Sequence, residues 1–138
     1  MLSQYLMFNE DCAEALAAYE KAFGAKITEM KRYSDVPAGS GFIMEEGQKD
    51  LVLNAMVEID GAMFMCADSG EARGIGRNMY MSYMNTDEAV VRRAWDILKE
   101  DAEVYMELHE TFFATAHGSL RDRFGINWMF TAEKEFGA

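Results

Sequence analysis

Both histidines of the chain, His109 and His117, lie in the stretch 109–130, together with Glu110 and Trp128. An imidazole titrates near neutral pH, so His109 could move a proton or bind a polar ligand, and the neighbouring Glu110 carboxyl could do the same. The alternative for this pair is structural, with hydrogen bonds that fix the end of a strand. We therefore take His109 and Glu110 as candidate catalytic and ligand-binding residues.

A metal centre is a second chemistry that His109, Glu110 and His117 could perform, because two imidazoles and a carboxylate bind many divalent cations. If the chain runs extended from 109 to 117, however, the two histidines lie roughly 27 Å apart at a rise of ~3.4 Å per residue. Glu110 would then face the opposite side of the strand. The sequence therefore predicts that these three side chains do not form a metal site.

Three further side chains are candidate ligand-binding residues. Phe112 and Trp128 could line a pocket for a flat or apolar ligand, although aromatic residues that alternate along a strand are more often part of the core. Asn54 is polar within the otherwise apolar strand 51–57. If Asn54 is buried it needs hydrogen-bond partners, which a ligand could supply, and the alternative is a solvated face.

The candidates depend on a predicted hairpin near the end of the chain. Residues 112–120 and 126–131 are predicted to form its strands, and the turn between them contains Asp122 and Gly125. Asp122 can bond to its own backbone two residues on, and Gly125 can adopt a positive φ.

The first half of the chain predicts a helix over 11–23, because Cys12, Leu16, Tyr19 and Phe23 recur at helical spacing. Gly24 is placed to end this helix, and side chains of the break at 9–11 could cap its start. The other predicted elements are the strands 3–8, 26–33, 50–59 and 62–67. The last two strands are joined by a turn at Asp60-Gly61. The loop over 34–48 is expected to be either a functional lid or mobile.

The second half repeats this order after a Gly-rich linker over 69–77, which Asp68 is expected to cap. A strand over 78–84, a helix over 87–99 and a strand over 103–108 precede the hairpin, and the helix carries Val91, Ala94, Trp95 and Leu98 on one face. The sequence predicts an α+β fold of two strand–helix–strand–strand–strand modules, about 1–68 and 78–132, within a single domain spanning 1–138.

Composition limits the kind of partner. The formal net charge is −11, from 24 acidic and 13 basic residues, which opposes binding to nucleic acids and to anionic membranes. No run of about 18 apolar residues could span a bilayer, and the N-terminal residues do not resemble a signal peptide, so a cytoplasmic protein is expected. Cys12 and Cys66 are expected to be reduced and buried, outside any zinc motif.

The chain resembles the PhnB-like branch of the glyoxalase/bleomycin-resistance/dioxygenase superfamily, also called the vicinal-oxygen-chelate (VOC) superfamily. The resemblance rests on Glu110-Thr111-Phe112-Phe113, Asp122-Arg123-Phe124-Gly125 followed by Trp128, the N-terminal run 5–12 and the run 18–25. It implies paired βαβββ modules that form an incomplete barrel around a site, commonly in a homodimer.

The resemblance also implies where a divalent metal would bind in catalytic members of the superfamily. The corresponding positions fall at about Gln4, Met65, Asn78 and Met129. A thioether is a soft, neutral donor and does not replace a carboxylate for a hard or borderline cation. We therefore expect that the usual metal site and any cofactor are absent. The alternative is a metal bound by Gln4 and Asn78. If no metal binds, Asn78 is a candidate ligand-binding residue.

These patterns predict a VOC-type protein that binds a small organic molecule. One alternative is an isomerase, lyase or dioxygenase that uses a metal or the His109–Glu110 pair. A second is a resistance protein that sequesters a cationic drug. No GxSxG nucleophile motif is present, and no glycine-rich strand-to-helix turn could hold a methyl-donor nucleotide.

Overall fold

The structure, a computed structural model, describes residues 1–37, 46–69 and 76–134 of the chain. The chain divides into two compact units, residues 1–73 and 74–138. Each unit contains a four-stranded sheet and one helix in the order strand, helix, strand, strand, strand. The predicted α+β class and its two βαβββ modules are confirmed, while the single-domain assignment stays a prediction.

The first unit consists of β1 (Tyr5–Phe8), α1 (Cys12–Phe23), β2 (Lys26–Arg32), β3 (Val52–Ile59) and β4 (Ala62–Asp68). Its sheet has the order β1-β4-β3-β2, in which β1 is parallel to β4 and the other pairs are antiparallel. Short 3-10 turns lie at Tyr33–Asp35 and Glu46–Gln48, inside the predicted loop 34–48. Residues 38–45 of that loop lie outside the described residues.

The second unit repeats the arrangement with β5 (Met81–Asn85), α2 (Glu88–Leu98), β6 (Glu103–His109), β7 (Ala114–Arg121) and β8 (Asn127–Glu133). Its sheet order, β5-β8-β7-β6, matches that of the first sheet, again with one parallel pair, β5 and β8. Of the predicted linker 69–77, residues 70–75 lie outside the described residues. No helix among residues 1–37, 46–69 and 76–134 is long and apolar enough to cross a membrane.

The start of α1 differs from its prediction. The Asp11 side chain does not cap the helix. Asp68, at the end of β4, accepts a hydrogen bond from the Cys12 backbone N–H at 2.9 Å through Oδ1, and one from the Val52 N–H at 2.9 Å through Oδ2. A carboxylate from a distant strand therefore stabilises the helix N-terminus. The predicted role of Asp68 as a cap of the linker concerns residues 70–75, which lie outside the described residues.

The apolar faces of both helices are as predicted. Cys12, Leu16, Tyr19 and Phe23 of α1 are buried, and Gly24 ends that helix in the left-handed conformation at φ 65°. In α2 the buried residues are Val91, Ala94, Trp95 and Leu98, and Asp87 caps the helix by accepting a hydrogen bond from Ala89 N–H. The helical periodicity of each segment is thus sufficient to identify its core side.

Candidate functional site

The side chains of the β5-β8-β7-β6 sheet alternate between two faces. The Phe130 ring contacts Trp95 of α2 with centroids 5.5 Å apart, so the face that contains Phe130 is the helix-covered one. The neighbouring positions along β8, Met129 and Thr131, point to the other side. Their partners on β7 are Ser119 and His117. We call the face formed by His117, Ser119, Met129, Thr131 and, on β6, His109 the distal face.

His109 and His117 lie directly opposite each other on β6 and β7. Their rings make an edge-to-face contact with centroids 6.3 Å apart. The prediction that the extended chain holds these histidines roughly 27 Å apart is therefore wrong. The chain reverses between them, so that cross-strand pairing brings together two residues eight positions apart.

The reversal occurs at 110–113 and depends on Thr111. The Thr111 hydroxyl oxygen accepts hydrogen bonds from the backbone N–H groups of Phe113 (3.2 Å) and Ala114 (3.0 Å). The Thr111 N–H in turn donates to the Ala114 carbonyl oxygen at 2.9 Å. A threonine turn of this kind lacks the glycine or proline that marks most tight turns in a sequence. Sequence patterns alone therefore start the second strand at 112 and do not show the reversal at 110–113.

A second irregularity sets the register of the histidine pair. The pairing of β6 with β7 shifts between Val104 and Met106 and again between Met106 and His109. Opposite this bulge, a Cβ at Gly118 would lie 2.8 Å from the Met106 carbonyl oxygen and 3.1 Å from the Leu108 nitrogen. Only glycine allows this close approach of the two backbones, which is a typical reason for glycine within a strand.

Each imidazole is held through Nδ1. His109 Nδ1 lies 2.9 Å from the Glu107 carbonyl oxygen. A carbonyl can only accept, so His109 carries its proton on Nδ1 and presents an unprotonated Nε2 when neutral. His117 Nδ1 lies 3.1 Å from the Thr131 hydroxyl oxygen. These contacts orient both rings on the distal face.

The environment of His117 disfavours its charged form. Partial burial lowers the pKa of His117 below its usual value, and the nearby His109 lowers it further. The Phe113 ring packs edge-to-face on His117 at 5.0 Å. A neutral imidazole in this position can donate or accept a hydrogen bond, or act as a base.

Glu110 and Phe112 lie in the reversal, at the edge of the distal face. Glu110 is exposed, and its Oε1 is 3.4 Å from the Lys134 ammonium nitrogen, a surface ion pair of small energetic weight. The Phe112 side chain is 88% exposed and packs against Phe113 at 5.1 Å. The structure thus pairs His109 with His117, and the Glu110 carboxylate with Lys134.

Trp128 lies on the helix-covered face. Its side chain is 2% exposed, and its indole N–H donates to Asp122 Oδ2 at 2.9 Å. Asp122 Oδ1 also accepts the backbone N–H groups of Phe124 and Ile126, each at 3.0 Å. The predicted Asp122 turn is present. Trp128 is buried in the core of its unit, which is the alternative to lining a pocket that was given above for aromatic residues of a strand.

Asn54 and Asn78 lie in different units. Asn54 is half-buried in β3, and its Nδ2 donates to the Tyr5 hydroxyl at 2.9 Å, so a side chain of β1 satisfies it. Asn78 is exposed and precedes β5. In the sheet register, the β5 residue beside Met129 is Ser82 rather than Asn78.

Two of the four positions implied for a VOC metal, Met65 and Met129, carry poor donors for a divalent cation. Gln4 is exposed, and its main-chain carbonyl accepts a hydrogen bond from the Met65 N–H at 3.1 Å. Met65 and Met129 are half-buried thioethers, which suit neither Mg²⁺ nor Mn²⁺. Within the described ranges 1–37, 46–69 and 76–134, no group of three or more His, Cys, Asp or Glu side chains could hold a metal ion.

Sequence reasoning missed a polar network around Asn127, which is fully buried at the start of β8. Asn127 Nδ2 donates to the carbonyl oxygens of Gly76 (2.9 Å) and Met79 (3.0 Å), and Oδ1 accepts from the Tyr105 hydroxyl and Arg121 Nε. The network fixes the segment before β5 against the sheet. An asparagine within an apolar strand is the signal that could have indicated it.

Several comparisons with known proteins bear on this fold. A family model described as 3-demethylubiquinone-9 3-methyltransferase matches residues 1–131. Protein YjdN of Escherichia coli (strain K12) is 27% identical over 143 residues, which cover 97% of this chain and 96% of YjdN.

Among solved structures, protein PA1353 from Pseudomonas aeruginosa has a TM-score of 0.82 at 28% identity, covering 98% of this chain and 100% of that one. The PhnB protein from Bacillus cereus has a TM-score of 0.78 at 24% identity, covering 94% and 97%. The more distant fosfomycin resistance protein FosX from Listeria monocytogenes, solved with Mn(II) and 1S,2S-dihydroxypropylphosphonic acid, shares the fold at a TM-score of 0.67 and 10% identity, covering 97% and 92%. The chain belongs to the 3-demethylubiquinone-9 3-methyltransferase (PhnB-like) family and has the fold of the vicinal-oxygen-chelate superfamily.

Proposed function

We propose that this protein binds a small organic molecule on the distal face of its second unit, without a VOC-type metal. One observation carries the proposal: His109 and His117 meet there edge-to-face, and each ring is held by a hydrogen bond, His117 to the Thr131 hydroxyl and His109 to the Glu107 carbonyl. Polar groups held in place beside apolar ones are typical of small-molecule sites.

The neighbouring side chains indicate the kind of ligand. Met129 and Phe113, both half-buried, flank the polar group and offer adaptable and flat apolar contacts. His117, with its lowered pKa, offers a neutral hydrogen-bonding group rather than a cation. The formal charge of −11 disfavours anions at long range. The proposed ligand is therefore a neutral or cationic molecule with an apolar body and one hydrogen-bonding end.

The methyl transfer named in the family description is not part of this proposal. Nucleotide-type methyl donors are commonly held at a glycine-rich turn between a strand and a helix. The turn from β1 to α1, residues 9–11, and the turn from β5 to α2, residues 86–87, contain no glycine. Both sheets are also small and mostly antiparallel rather than doubly wound.

An acid–base enzyme is the second candidate function, and the orientation of His109 favours it. Its Nδ1–H donates to the Glu107 carbonyl, so Nε2 is available as a base in the neutral ring. Glu110, the other residue of the predicted pair, is exposed and lies beside Lys134. In this function His109 and His117 would replace the His109–Glu110 pair, and a VOC-type isomerase or lyase reaction would need no metal.

Sequestration of a cationic drug without turnover is the third candidate, supported by the net charge of −11. Binding that leaves the compound chemically unchanged would distinguish it from the acid–base enzyme.

We also infer that the protein forms a homodimer. Large apolar side chains are exposed on three edge strands: Tyr5 and Met7 on β1, Met84 on β5 and Met106 on β6. Exposed apolar groups on sheet edges favour association with a partner. Light scattering should give twice the monomer mass, and a monomer at high concentration would contradict the inference.

The binding proposal is tested by a thermal-shift screen of small neutral and cationic organic molecules. A ligand at one hundred times its Kd should stabilise the native state by about 2.7 kcal/mol. The stabilisation should fall in the His117→Asn variant and persist in Arg93→Gln, which changes an exposed residue of α2. A hit whose stabilisation is the same in all three proteins, or a screen without any hit, would contradict the proposal.

A further inference from the structure

We propose that His109 and His117 form a two-imidazole chelate for a borderline divalent cation such as Cu²⁺, Ni²⁺ or Zn²⁺. This site is separate from the four positions at which VOC enzymes hold their metal. It also goes beyond the proposed organic ligand, because it requires only the two histidines and solvent.

The strand pairing supplies the necessary proximity. Directly opposite residues of an antiparallel pair have Cβ atoms about 5 Å apart. Two imidazoles that bind one ion through bonds of about 2.0 Å have their centroids about 5 Å apart. The centroids of His109 and His117 are 6.3 Å apart. The difference is about 1 Å, and small changes in χ1 of the two histidines, which swing each ring about its Cα–Cβ bond, can close it.

The hydrogen bonds of the two rings are those of metal-binding histidines. A ligating imidazole usually donates its second N–H to a carbonyl, carboxylate or other oxygen, which fixes its tautomer and direction. His109 does so through Nδ1 to the Glu107 carbonyl, and His117 Nδ1 contacts the Thr131 hydroxyl. Among the residues that the structure describes, neither Nε2 has a hydrogen bond, so both are available to a cation.

The choice of cation follows from the donors. Imidazole nitrogen suits Cu²⁺, Ni²⁺ and Zn²⁺, whereas Mg²⁺ and Ca²⁺ require oxygen ligands. Two protein ligands leave the other coordination positions to water. The negative net charge raises the local concentration of cations.

The chain has only two histidines, which makes the test direct. Untagged protein is titrated with Cu²⁺ and Ni²⁺ by calorimetry, and the Cu²⁺ complex is measured by electron paramagnetic resonance. We expect one ion per chain with two nitrogen ligands. His109→Gln and His117→Gln should each weaken binding on the order of a hundredfold, because the second ligand then no longer binds intramolecularly.

Two further variants distinguish a chelate oriented by its hydrogen bonds from cation binding at nearby carboxylates. Thr131→Val removes only the hydrogen bond to His117 and should weaken binding roughly tenfold. Glu103→Gln removes an exposed carboxylate at the other end of β6 and should leave the affinity unchanged. Circular dichroism of each variant confirms that the fold is retained.

The absence of saturable Cu²⁺ or Ni²⁺ binding would overturn the proposal. So would affinity that is unaltered in both histidine variants, because the ion would then bind at the N-terminal amine or at surface carboxylates. Because no organic ligand is used, either result leaves the proposed small-molecule function to its own test.

Discussion

His117 lies on the distal face, where its imidazole contacts three other side chains. It lies between His109, Phe113 and Thr131, and partial burial together with His109 lowers its pKa. The charged form is therefore less stable in the native state than in the unfolded chain, where the pKa is near 6.5.

We predict that this shift makes His117 a source of pH-dependent instability. Since the unfolded chain binds the His117 proton more readily, stability falls as the pH drops through and below about 6.5, and the effect is absent well above that value. Urea unfolding of the wild type and of His117→Asn at pH 7.5 and 5.5 measures it. The wild type should lose stability relative to the variant at pH 5.5. A difference between the two proteins that does not change with pH would contradict the assignment.

The Asp122 carboxylate should contribute strongly to stability. It is 3% exposed and accepts three hydrogen bonds, from Phe124 N, Ile126 N and Trp128 Nε1. Asp122→Ala leaves all three donors without this acceptor, and we expect a loss of about 3 kcal/mol or more in the free energy of unfolding. Asp87→Ala, which removes the exposed cap of α2, should cost only about 1 kcal/mol. Equal effects of the two changes in urea denaturation would contradict this ranking.

At the scale of secondary structure, the sequence predicted the elements but not the details of their connections. Both helices follow from apolar spacing. Gly24 marks the end of α1, and Asp60-Gly61 marks the hairpin turn between β3 and β4, because these residue types favour those conformations. The reversal at 110–113 depends on a threonine hydroxyl, and the β6 bulge depends on the approach of two backbones at Gly118. Neither leaves a periodic signal, so the meeting of His109 with His117 could not be predicted.

Gly118 should be intolerant of even a methyl group. In Gly118→Ala the new Cβ would lie 2.8 Å from the Met106 carbonyl oxygen, so the β6 backbone must move. We expect a loss of about 1–3 kcal/mol, together with a change in the NMR signals of both imidazoles as the bulge shifts. The matched control is Gly47→Ala, since a Cβ there meets nothing within 4 Å and φ is not in the left-handed region. Wild-type stability and unchanged imidazole signals in Gly118→Ala would show that the bulge does not position the pair.

The contact between α1 and β4 should protect both thiols. Cys12 and Cys66 are fully buried, and a hydrogen bond of the Cys12 thiol with Cys66, together with burial, raises the pKa of Cys12. Because the thiolate is the reactive form, native protein should react with no equivalents of a thiol-specific dye and unfolded protein with two. Rapid labelling of the native protein, or no labelling after unfolding, would contradict the assignment of two buried free thiols.

At the scale of the whole molecule, the twofold repeat was the most reliable prediction. Each module contains a sheet with one apolar face that a single helix covers, and the same strand order appears in both. The two units differ in what their sheets present away from the helix. The first has Asn54, satisfied by Tyr5, whereas the second has the histidine pair. The repeat therefore explains the fold, and the departures from it indicate the candidate site.

Histidine-selective NMR of the protein with the best organic ligand from the thermal-shift screen tests directly whether the ligand binds on the distal face. Because the chain has two histidines, two sets of imidazole signals report on the distal face. We predict that both sets shift together and saturate with the ligand, while the Trp128 indole signal, held by Asp122 in the core, changes little. Saturable binding that leaves both imidazoles unchanged would place the ligand elsewhere and contradict the proposed site.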